Sequence, residues 1–378
     1  MGLTKYKLGN LIYEITRKNE DLNYGLEYVR GVSNNKKIMP TKAEVDPEVI
    51  HKFYVIMPNE FIYNPRTTRM GDKVGLAFND TDSPLLFTFN NIAFAIREEA
   101  KSLILPDYLY IYFNRSEFDR YAIVNSWGSA TELFTFAEMC DIDIELPPLR
   151  IQQKYVAIYK AMLANQQSYE RGMEDLKLVC DAYIEDLRRK NPCTKLEPYL
   201  VESDKRNDMG LSVDCVRGLA TSKVMIPTKA DMAGVSLNNY KVVPPRYIAY
   251  VPDTSRRADK VSLGFNDTDE TFLVSSISVV FTTNLSCLLP EYLMLFLTRT
   301  EFDRYARFNS WGSARETFSF DEMCDVEIPI PDISIQKAIA EIFVAYNTRK
   351  QINECLKTQI KDICPILIKG AMEEGERE

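Results

Sequence analysis

Two stretches of the chain carry apolar residues at alternating spacings of three and four, which is the pattern of a helix with one apolar face. The first stretch follows Pro147-Pro148 and the second follows Pro331. Such spacing is typical of a coiled-coil seam, and a helix of about 40 residues would be about 60 Å long. One helix cannot bury so narrow a stripe by itself. We therefore predict that the two helices pair through Tyr155, Ile158, Met162, Tyr169, Leu176, Ile339, Ile342, Tyr346, Leu356 and Ile360.

Three features qualify this helix prediction. Each helix could instead fold back on its own neighbouring domain. Pro365 predicts an interruption of the second helix, because proline lacks the amide donor and clashes with the preceding turn. The acidic tail at 373–378 is predicted to fray.

The rest of the chain alternates short apolar runs with turn residues, which predicts a sheet. Runs rich in β-branched and aromatic residues indicate strands at 54–57, 61–63, 85–89, 247–251 and 272–274. Two longer runs that begin at a proline indicate helices at 106–121 and 290–307. Together these elements predict the α+β class.

The chain is one unit written twice. Residues 78–82 recur at 265–269 with an offset of 187, and residues 117–122 recur letter for letter at 301–306 with an offset of 184. Both tryptophans, Trp127 and Trp311, stand at equivalent positions. A period of this length is too long for a solenoid repeat and indicates that a domain was duplicated together with its connecting helix. The prediction is two similar α+β domains and two long antiparallel helices with pseudo-two-fold symmetry.

Composition narrows the functional classes. The chain has 46 Lys and Arg against 54 Asp and Glu, a net charge of −8, which argues against a basic coat for nucleic acid. Residues 1–148 contain 16 Lys and Arg against 21 Asp and Glu, and residues 195–331 contain 15 against 19, so any DNA-binding face must be a local concentration of cations. No apolar run approaches the length of a membrane span.

Cysteine and histidine give no metal-binding pattern. The single histidine is His51, and the eight cysteines include no C-x-x-C pair, which favours reduced thiols in a cytoplasmic protein. Cysteines at the repeat positions 140, 180, 324 and 364 are predicted to act as small buried hydrophobic residues. The phosphate-binding, dinucleotide-binding and nucleophile-elbow motifs are absent from the sequence. We predict no catalytic residue and no metal ligand in this chain.

Three local patterns, in this order along the chain, resemble the specificity (S) subunit of type I restriction–modification systems. Tyr63-Asn64-Pro65-Arg66 with Gly71-Asp72-Lys73-Val74-Gly75 is similar to the family's Y-N-P-x-R…G-x-[IV]-G segment. Gly128-Ser129-Ala130 and Gly312-Ser313-Ala314 resemble its small-residue turn before the last strands. The run from Ile144 to Gln152 is similar to I-x-[LV]-P-P-L-x-E-Q, although Ile151 stands where Glu is usual.

The resemblance implies a chain without catalytic activity that reads a split sequence on double-stranded DNA. It implies two modification (methyltransferase) subunits as partners, which bind S-adenosylmethionine and methylate adenines, and restriction subunits in systems that have them. It implies no cofactor in this chain and a cytoplasmic location. The corresponding segments are a first target-recognition domain at 1–148, a spacer helix at 149–194, a second target-recognition domain at 195–331, and a spacer helix with an acidic tail at 332–378.

Candidate DNA-binding residues are cations, which contact phosphates or guanine, and Asn, which can read adenine. They are Lys36, Lys37, Lys42, Asn64, Arg66, Arg69 and Lys73 in the first half, and Lys223, Lys229, Arg256, Arg257, Lys260 and Arg315 in the second. Positions that differ between the halves are the best candidates for base reading, namely Arg66 against Asp253, Asn64 against Val251, Lys52 against Asn239 and Thr131 against Arg315. We expect two different half-sites. The two tryptophans are expected in the core or against a partner, with stacking on DNA as the alternative.

Two other interpretations stay open. The chain could be an S-like subunit of a methylation-only system or of a type II restriction system. It could also be a two-domain structural or ligand-binding repeat protein that does not bind nucleic acid.

Overall fold

The computed structural model describes residues 3–41, 44–67, 73–129, 131–254, 260–313 and 315–377. Helices and strands are both well represented in these residues, as the α+β prediction requires. The α-helices are α1 Pro106–Phe113, α2 Ser116–Val124, α3 Phe136–Cys140, α4 Leu149–Lys190, α5 Pro290–Leu297, α6 Thr300–Phe308, α7 Phe320–Cys324 and α8 Ile333–Glu376.

The strands are short and fall into two equivalent sets. The first set is β1 Thr4–Lys7, β2 Ile12–Ile15, β3 Arg30–Val32, β4 Ile38–Pro40, β5 Tyr54–Ile56, β6 Phe61–Tyr63, β7 Leu76–Phe78, β8 Leu85–Phe87, β9 Ile92–Ile96 and β10 Asp143–Leu146. The second set is β11 Cys193–Lys195, β12 Leu200–Ser203, β13 Arg217–Leu219, β14 Met225–Pro227, β15 Lys241–Val243, β16 Ile248–Tyr250, β17 Leu263–Phe265, β18 Phe272–Val274, β19 Val279–Thr283 and β20 Glu327–Pro329.

The chain forms two compact units. Unit 1 comprises Met1–Ser168 and Asn353–Glu378, and unit 2 comprises the intervening Tyr169–Ile352. Each unit therefore contains one set of strands and a part of both long helices. Because the units divide each long helix, the domain limits taken from the sequence stay a prediction.

The sheets of the two units have the same antiparallel topology. Unit 1 has a four-stranded sheet in the order β2-β9-β6-β7, and unit 2 has β12-β19-β16-β17. Two-stranded pairs complete each unit, β1-β10, β3-β4 and β5-β8 in the first and β11-β20, β13-β14 and β15-β18 in the second. The main core lies between the larger sheet and the helices. In unit 1 its centre is Phe61, which stacks on Phe78 and Phe94 at 4.8 and 5.0 Å between ring centroids.

Both long helices contribute to both cores. In unit 1 the start of α4 lies antiparallel to the end of α8: Lys154 Nζ is 2.6 Å from a carboxylate oxygen of Glu374, and Gln166 Nε2 donates to Asn353 Oδ1 at 2.8 Å. In unit 2 the end of α4 and the start of α8 share one core, which includes Ile184 and Ile339. Within each unit the helices therefore pack against each other as well as against the sheet elements.

Nine of the ten seam residues taken from the sequence are buried or half-buried. Ile158 is wrong, because its side chain is 41% exposed while Val156 and Tyr159 are buried. The reason is that Gln152 and Gln166 are also fully enclosed. A seam predicted from apolar residues alone omits these two buried polar positions. Between them it therefore places Ile158 in the seam instead of the neighbouring Tyr159.

Three further expectations are corrected. The helix α8 runs through Pro365 without a break, because Cys364, Leu367 and Ile368 beside it are buried in the core of unit 1. The tail is helical to Glu376, which ties the end of the chain to α4 through Glu374. The predicted helices at 106–121 and 290–307 are each two helices, separated after residues 113 and 297.

Burial of the repeated cysteines follows the prediction in part. Cys180 and Cys364 are buried, Cys140 and Cys324 are half-buried, and all eight cysteines are free thiols. Across the part of the chain that the structure describes, no helix is long and apolar enough to cross a membrane.

Candidate nucleic-acid interface

In unit 1, three segments with candidate DNA-binding residues are held together by hydrogen bonds. The backbone N–H of Asn64, just after β6, donates to the Gly75 carbonyl at 2.8 Å. The Asn64 side chain is turned back on its own backbone, because its Oδ1 accepts from Arg66 N–H at 3.0 Å. Asn64 is therefore a turn-forming residue, whereas the Arg66 side chain is exposed and available for a contact.

The prediction that Lys36 and Lys223 contact DNA directly is wrong. Their residues are only 4% and 8% exposed, and each ammonium group forms a buried ion pair, with Asp119 in unit 1 and with Asp303 in unit 2. Burial lowers the pKa of both lysines, against the attraction of the neighbouring carboxylate. Contact with a phosphate would require breaking the pair and leaving a buried carboxylate uncompensated.

The same carboxylates fix the backbone of a second segment. Asp119 Oδ1 accepts from Val74 N–H at 3.0 Å, and Asp303 Oδ1 accepts from Val261 N–H at 2.9 Å. Each aspartate thus connects a hairpin turn to the chain that leads into β7 or β17. Both the lysine and the aspartate occur at repeat-equivalent positions in the sequence, and this repetition was a signal that they have a common role. The sequence analysis did not infer that they pair with each other.

Lys73 lies beside this cluster and is joined by a cation that the sequence analysis missed. Proximity to the ammonium group of Lys361, on α8, lowers the pKa of Lys73. Lys361 is exposed and Lys73 is half-exposed. Two ammonium groups at such close range favour an anion between them, because a phosphate would relieve their repulsion.

In unit 2 the equivalent cluster contains Lys260, which is exposed directly before Val261. Val251 N–H donates to the Ser262 carbonyl at 2.9 Å, which repeats the Asn64–Gly75 contact of unit 1. Val251 is only 7% exposed, so the prediction that this position reads a base is wrong. Lys37 and Lys229 are exposed at the two β-hairpins, Lys37 before β4 and Lys229 after β14.

Four candidates, Lys42, Arg69, Arg256 and Arg257, lie outside the described residues, as do Gly71, Asp72, Ala130 and Ala314 of the motifs. Of the positions that differ between the units, Arg66, Lys52, Asn239 and Arg315 are exposed, and Asp253 and Thr131 are half-exposed. Exposed side chains of opposite or different chemistry therefore occupy equivalent places in the two units.

The two tryptophans do not lie in the core. Trp127 is 68% exposed and Trp311 is 64% exposed, and each follows another exposed apolar residue, Val124 or Phe308, by three positions in the chain. A tight turn presents each ring: Trp127 exchanges two backbone hydrogen bonds with Leu133, and Trp311 does so with Thr317.

Glycine is required in this turn. Gly128 has φ +148° and Gly312 has φ +139°, and a Cβ at either residue would lie 2.1 Å from a backbone oxygen. The glycine of the repeated Gly-Ser pattern is therefore explained by backbone geometry, and the turn that it permits projects the tryptophan outward.

Comparison with known proteins supports the fold and the specificity-domain resemblance. Residues 260–362 match the family model described as "Type I restriction modification DNA specificity domain". No curated protein matches the chain.

Among solved structures, the chain is similar to the S subunit of a type I restriction–modification system from M. genitalium, with a TM-score of 0.57, 11% identity, and 98% of this chain and 96% of that one covered. At this identity the match shows a common fold. It is also similar to a structure described as the basis of complex assembly and conformational transition of the type I R-M system (TM-score 0.45, 13% identity, 98% and 97% covered). A third match is the HsdS subunit from Thermoanaerobacter tengcongensis (TM-score 0.37, 14% identity, 98% and 96% covered).

Proposed function

We propose that this chain, which carries a match to the type I DNA specificity domain at 260–362, is the specificity subunit of a type I restriction–modification complex. In this role it reads a bipartite, asymmetric sequence on double-stranded DNA, one half-site with each unit. It has no catalytic residue or cofactor of its own. Methyltransferase subunits supply S-adenosylmethionine and adenine methylation, restriction subunits supply cleavage where a system has them, and the complex works in the cytoplasm.

The observation that carries this proposal is that the two units have the same buried framework but different polar residues at their surfaces. Their frameworks coincide down to the buried Lys–Asp pair, whereas exposed or half-exposed positions in the same units differ, such as Arg66 against Asp253. A duplicated scaffold with different exposed polar groups fits two similar readers of two different sequences. A duplicated structural protein would give no reason for the differences to fall next to exposed cations.

The test is methylation mapping on the assembled complex. The chain is co-expressed with an adenine-methyltransferase subunit in cells that lack other adenine methylation, and modified sites are found by sequencing. We expect a single split motif whose two halves differ. A palindromic motif, or none, would overturn the proposal and favour a ligand-binding or structural repeat protein.

Single variants then assign the halves. Arg66→Ala is expected to relax one half-site and Arg315→Ala the other, each by a factor of about 5–150, the range for loss of one base contact. Arg120→Ala and Arg304→Ala are matched controls, because these arginines are exposed in the identical stretch of the two units. The controls should leave both half-sites unchanged.

For partner docking, the tryptophan turns are the favoured surface. Trp is enriched at the centres of protein–protein interfaces, and the same exposed ring occurs once in each unit, as two copies of one partner would require. Each turn contains one carboxylate, Glu132 or Glu316, and the turn of unit 2 also contains the exposed Arg315. A large exposed aromatic ring at the same place in each unit suits a protein partner better than the DNA backbone.

This docking surface is tested by co-purification. Trp127→Ala is expected to reduce the methyltransferase stoichiometry from two copies per chain to one, Trp311→Ala is expected to do the same, and the double variant should retain neither. Loss of DNA affinity by a complex that keeps both copies would instead assign the tryptophans to DNA.

A further inference from the structure

We infer that the buried Lys36–Asp119 and Lys223–Asp303 pairs are positioning groups for half-site recognition, each controlling the reading of one half-site by its own unit. The inference rests on the proposed function and adds to it residues that do not touch DNA. Its basis is one arrangement that occurs in both units. It consists of a buried lysine, a buried aspartate, the phenylalanine before the aspartate, and the backbone N–H of a valine.

The first step is the geometry of the pair. The lysine ammonium and the aspartate carboxylate are in direct contact in both units, with side chains 4% and 10% exposed in unit 1 and 6% and 8% exposed in unit 2. Each lysine also lies over the ring that precedes the aspartate, Phe118 at 5.8 Å and Phe302 at 5.3 Å from the centroid. Lysines are seldom buried unless they are paired, so the two sites require each other.

The second step is the backbone that carries the lysine. Lys36 has φ +56° and Lys223 has φ +65°, the left-handed region that Gly and Asn adopt more readily. Each closes the turn of a hairpin: Lys36 N–H donates to Ser33 O and Lys223 N–H to Ala220 O. A turn position that would favour Gly or Asn is occupied by lysine in both units, because the side chain is needed to reach the aspartate.

The third step is the second backbone point. The same aspartate oxygen that meets the lysine also accepts the N–H of Val74 or Val261. The residue before each valine is a candidate DNA-contacting cation, Lys73 or Lys260, and the residue after Lys36 is the exposed Lys37. In unit 1 one carboxylate therefore fixes the distance between two chain segments that both present a cation, and in unit 2 it fixes the segment of Lys260 against a hairpin turn whose next residue is Val224.

The fourth step is the repeat itself. Lys36 and Lys223 are related by the offset of 187 and Asp119 and Asp303 by the offset of 184, so the pair is retained across a change in the length of the intervening chain. Core packing alone could be met by apolar residues at both positions, and such a replacement of a buried pair is often neutral or stabilising. Retention of a charged pair in both units indicates a requirement for geometry at the surface.

The experiment uses the chain assembled with its methyltransferase subunits and measures initial methylation rates on three duplexes: the full target, a target randomised in one half, and a target randomised in the other. Lys36→Met keeps the length of the side chain and removes its charge. We expect it to reduce discrimination at the half-site of unit 1 by 10-fold or more, with discrimination at the other half-site unchanged. Lys223→Met should give the mirror result.

A merely structural role would give a different outcome. A variant that is only less stable would lose rate equally on all three duplexes and would recover on cooling, with both discrimination ratios intact. That result in Lys36→Met and Lys223→Met would overturn the inference. Lys36→Arg, which keeps the cation, should restore most of the discrimination that Lys36→Met loses.

If the methionine variants do not fold, Asp119→Glu and Asp303→Glu serve in their place, since they keep both charges and displace the carboxylate by one methylene. We expect the same half-site-selective loss, and unchanged ratios would overturn the inference. Failure of the proposed function is distinguishable, because the unaltered complex would then show no preference between the full and the half-randomised duplexes.

Discussion

Arg115 and Arg299 occupy equivalent positions in the two units and make different contacts. Arg299 lies in a network of carboxylates, 3.6 Å from Asp181, 3.2 Å from Glu185 and 3.2 Å from Glu301. The guanidinium of Arg115 lies over the ring of Tyr112, 3.8 Å from its centroid, and its Nε donates to the carbonyl of the same residue at 3.1 Å. The same side chain is thus held by ion pairs in unit 2 and by an aromatic ring in unit 1.

The cause lies in the long helices. The positions of α8 equivalent to Asp181 and Glu185 of α4 are Pro365 and Lys369, which offer no carboxylate. In unit 1 a cavity of about 510 Å³ remains there, lined by Arg115, Glu117, Pro365, Ile366, Ile368, Lys369, Met372, Glu373 and Glu376. Equivalent helix–domain junctions have therefore diverged, while the Lys–Asp pair beneath the candidate DNA face has not. The comparison teaches that the duplicated chain keeps the geometry of its surface turns more strictly than the way in which the C-terminal parts of its long helices are attached.

The largest expected effect on stability is at Gln152 and Gln336. Unequal losses at these two residues would show that the units are not equivalent. Each side chain is fully buried and serves three backbone groups: Gln152 accepts from Leu105 N–H at 3.0 Å and donates to Leu103 O and Pro147 O at 2.8 Å. Gln336 repeats these contacts with Leu289, Cys287 and Pro331. Gln152→Leu or Gln336→Leu should cost about 3–5 kcal/mol, because buried backbone groups lose their partners.

Urea unfolding of the whole chain, followed by circular dichroism, measures this cost. The matched control is Gln153→Leu, at an exposed neighbouring position, which should change the free energy of unfolding by less than about 0.5 kcal/mol. Equal losses for the two buried glutamines would show that the start of each long helix is attached in the same way. A loss below 1 kcal/mol for either would contradict this account.

An intermediate effect is expected from alkaline pH. Burial raises the pKa of Tyr63, Tyr108, Tyr110 and Tyr159 in unit 1, and of Tyr250 and Tyr292 in unit 2, well above the ordinary value of 10.0. Above pH 10 the unfolded chain releases these protons and the folded chain keeps them, so the free energy of unfolding falls as pH rises. Unit 1, with four such groups against two, should open at the lower pH.

Single-tryptophan variants separate the two units in this experiment. Trp311→Phe leaves Trp127 as the reporter of unit 1, and Trp127→Phe leaves Trp311 as the reporter of unit 2. Fluorescence anisotropy recorded from pH 8 upward should fall first for Trp127. Simultaneous transitions would show that the units unfold as one, and an earlier transition for Trp311 would contradict the count of buried tyrosines.

Much of the framework could be predicted from the sequence because apolar spacing and repetition report burial directly. The five strands, the two long helices and the duplicated plan follow from such patterns. The role of repeated polar residues did not. Asn79 and Asn266 are polar residues of the repeated segment, yet each is 1% exposed. Each side-chain amide donates to two backbone carbonyls, one at the end of β5 or β15 and one in the exposed turn that follows the asparagine. Sequence spacing does not show which polar group finds a partner.

The candidate DNA face was predictable only in part, for the same reason. Arg66 and Arg315 were identified by difference and are exposed. Lys36 and Lys223 looked like surface cations because charged residues usually are, and their burial depends on carboxylates about 80 residues away in the chain. Lys361 was missed because it belongs to a helix whose pattern indicated only a seam. Contacts between distant segments are what a one-dimensional pattern cannot supply.

The smallest expected effect would sharpen the comparison of the two arginines. Arg299→Ala should cost about 1–2 kcal/mol, since the side chain is 13% exposed but its carboxylate partners are 40–49% exposed and screened by solvent. Arg115→Ala should cost about 0.5–1 kcal/mol, the range for a cation–π contact. Urea unfolding at 0.05 and 1 M salt distinguishes the causes, because only the Arg299 effect should shrink with salt.

Transplanting the carboxylates with Pro365→Asp and Lys369→Glu should make the Arg115→Ala effect salt-dependent as well. If it stays independent of salt, the difference between the units does not originate in these two helix positions.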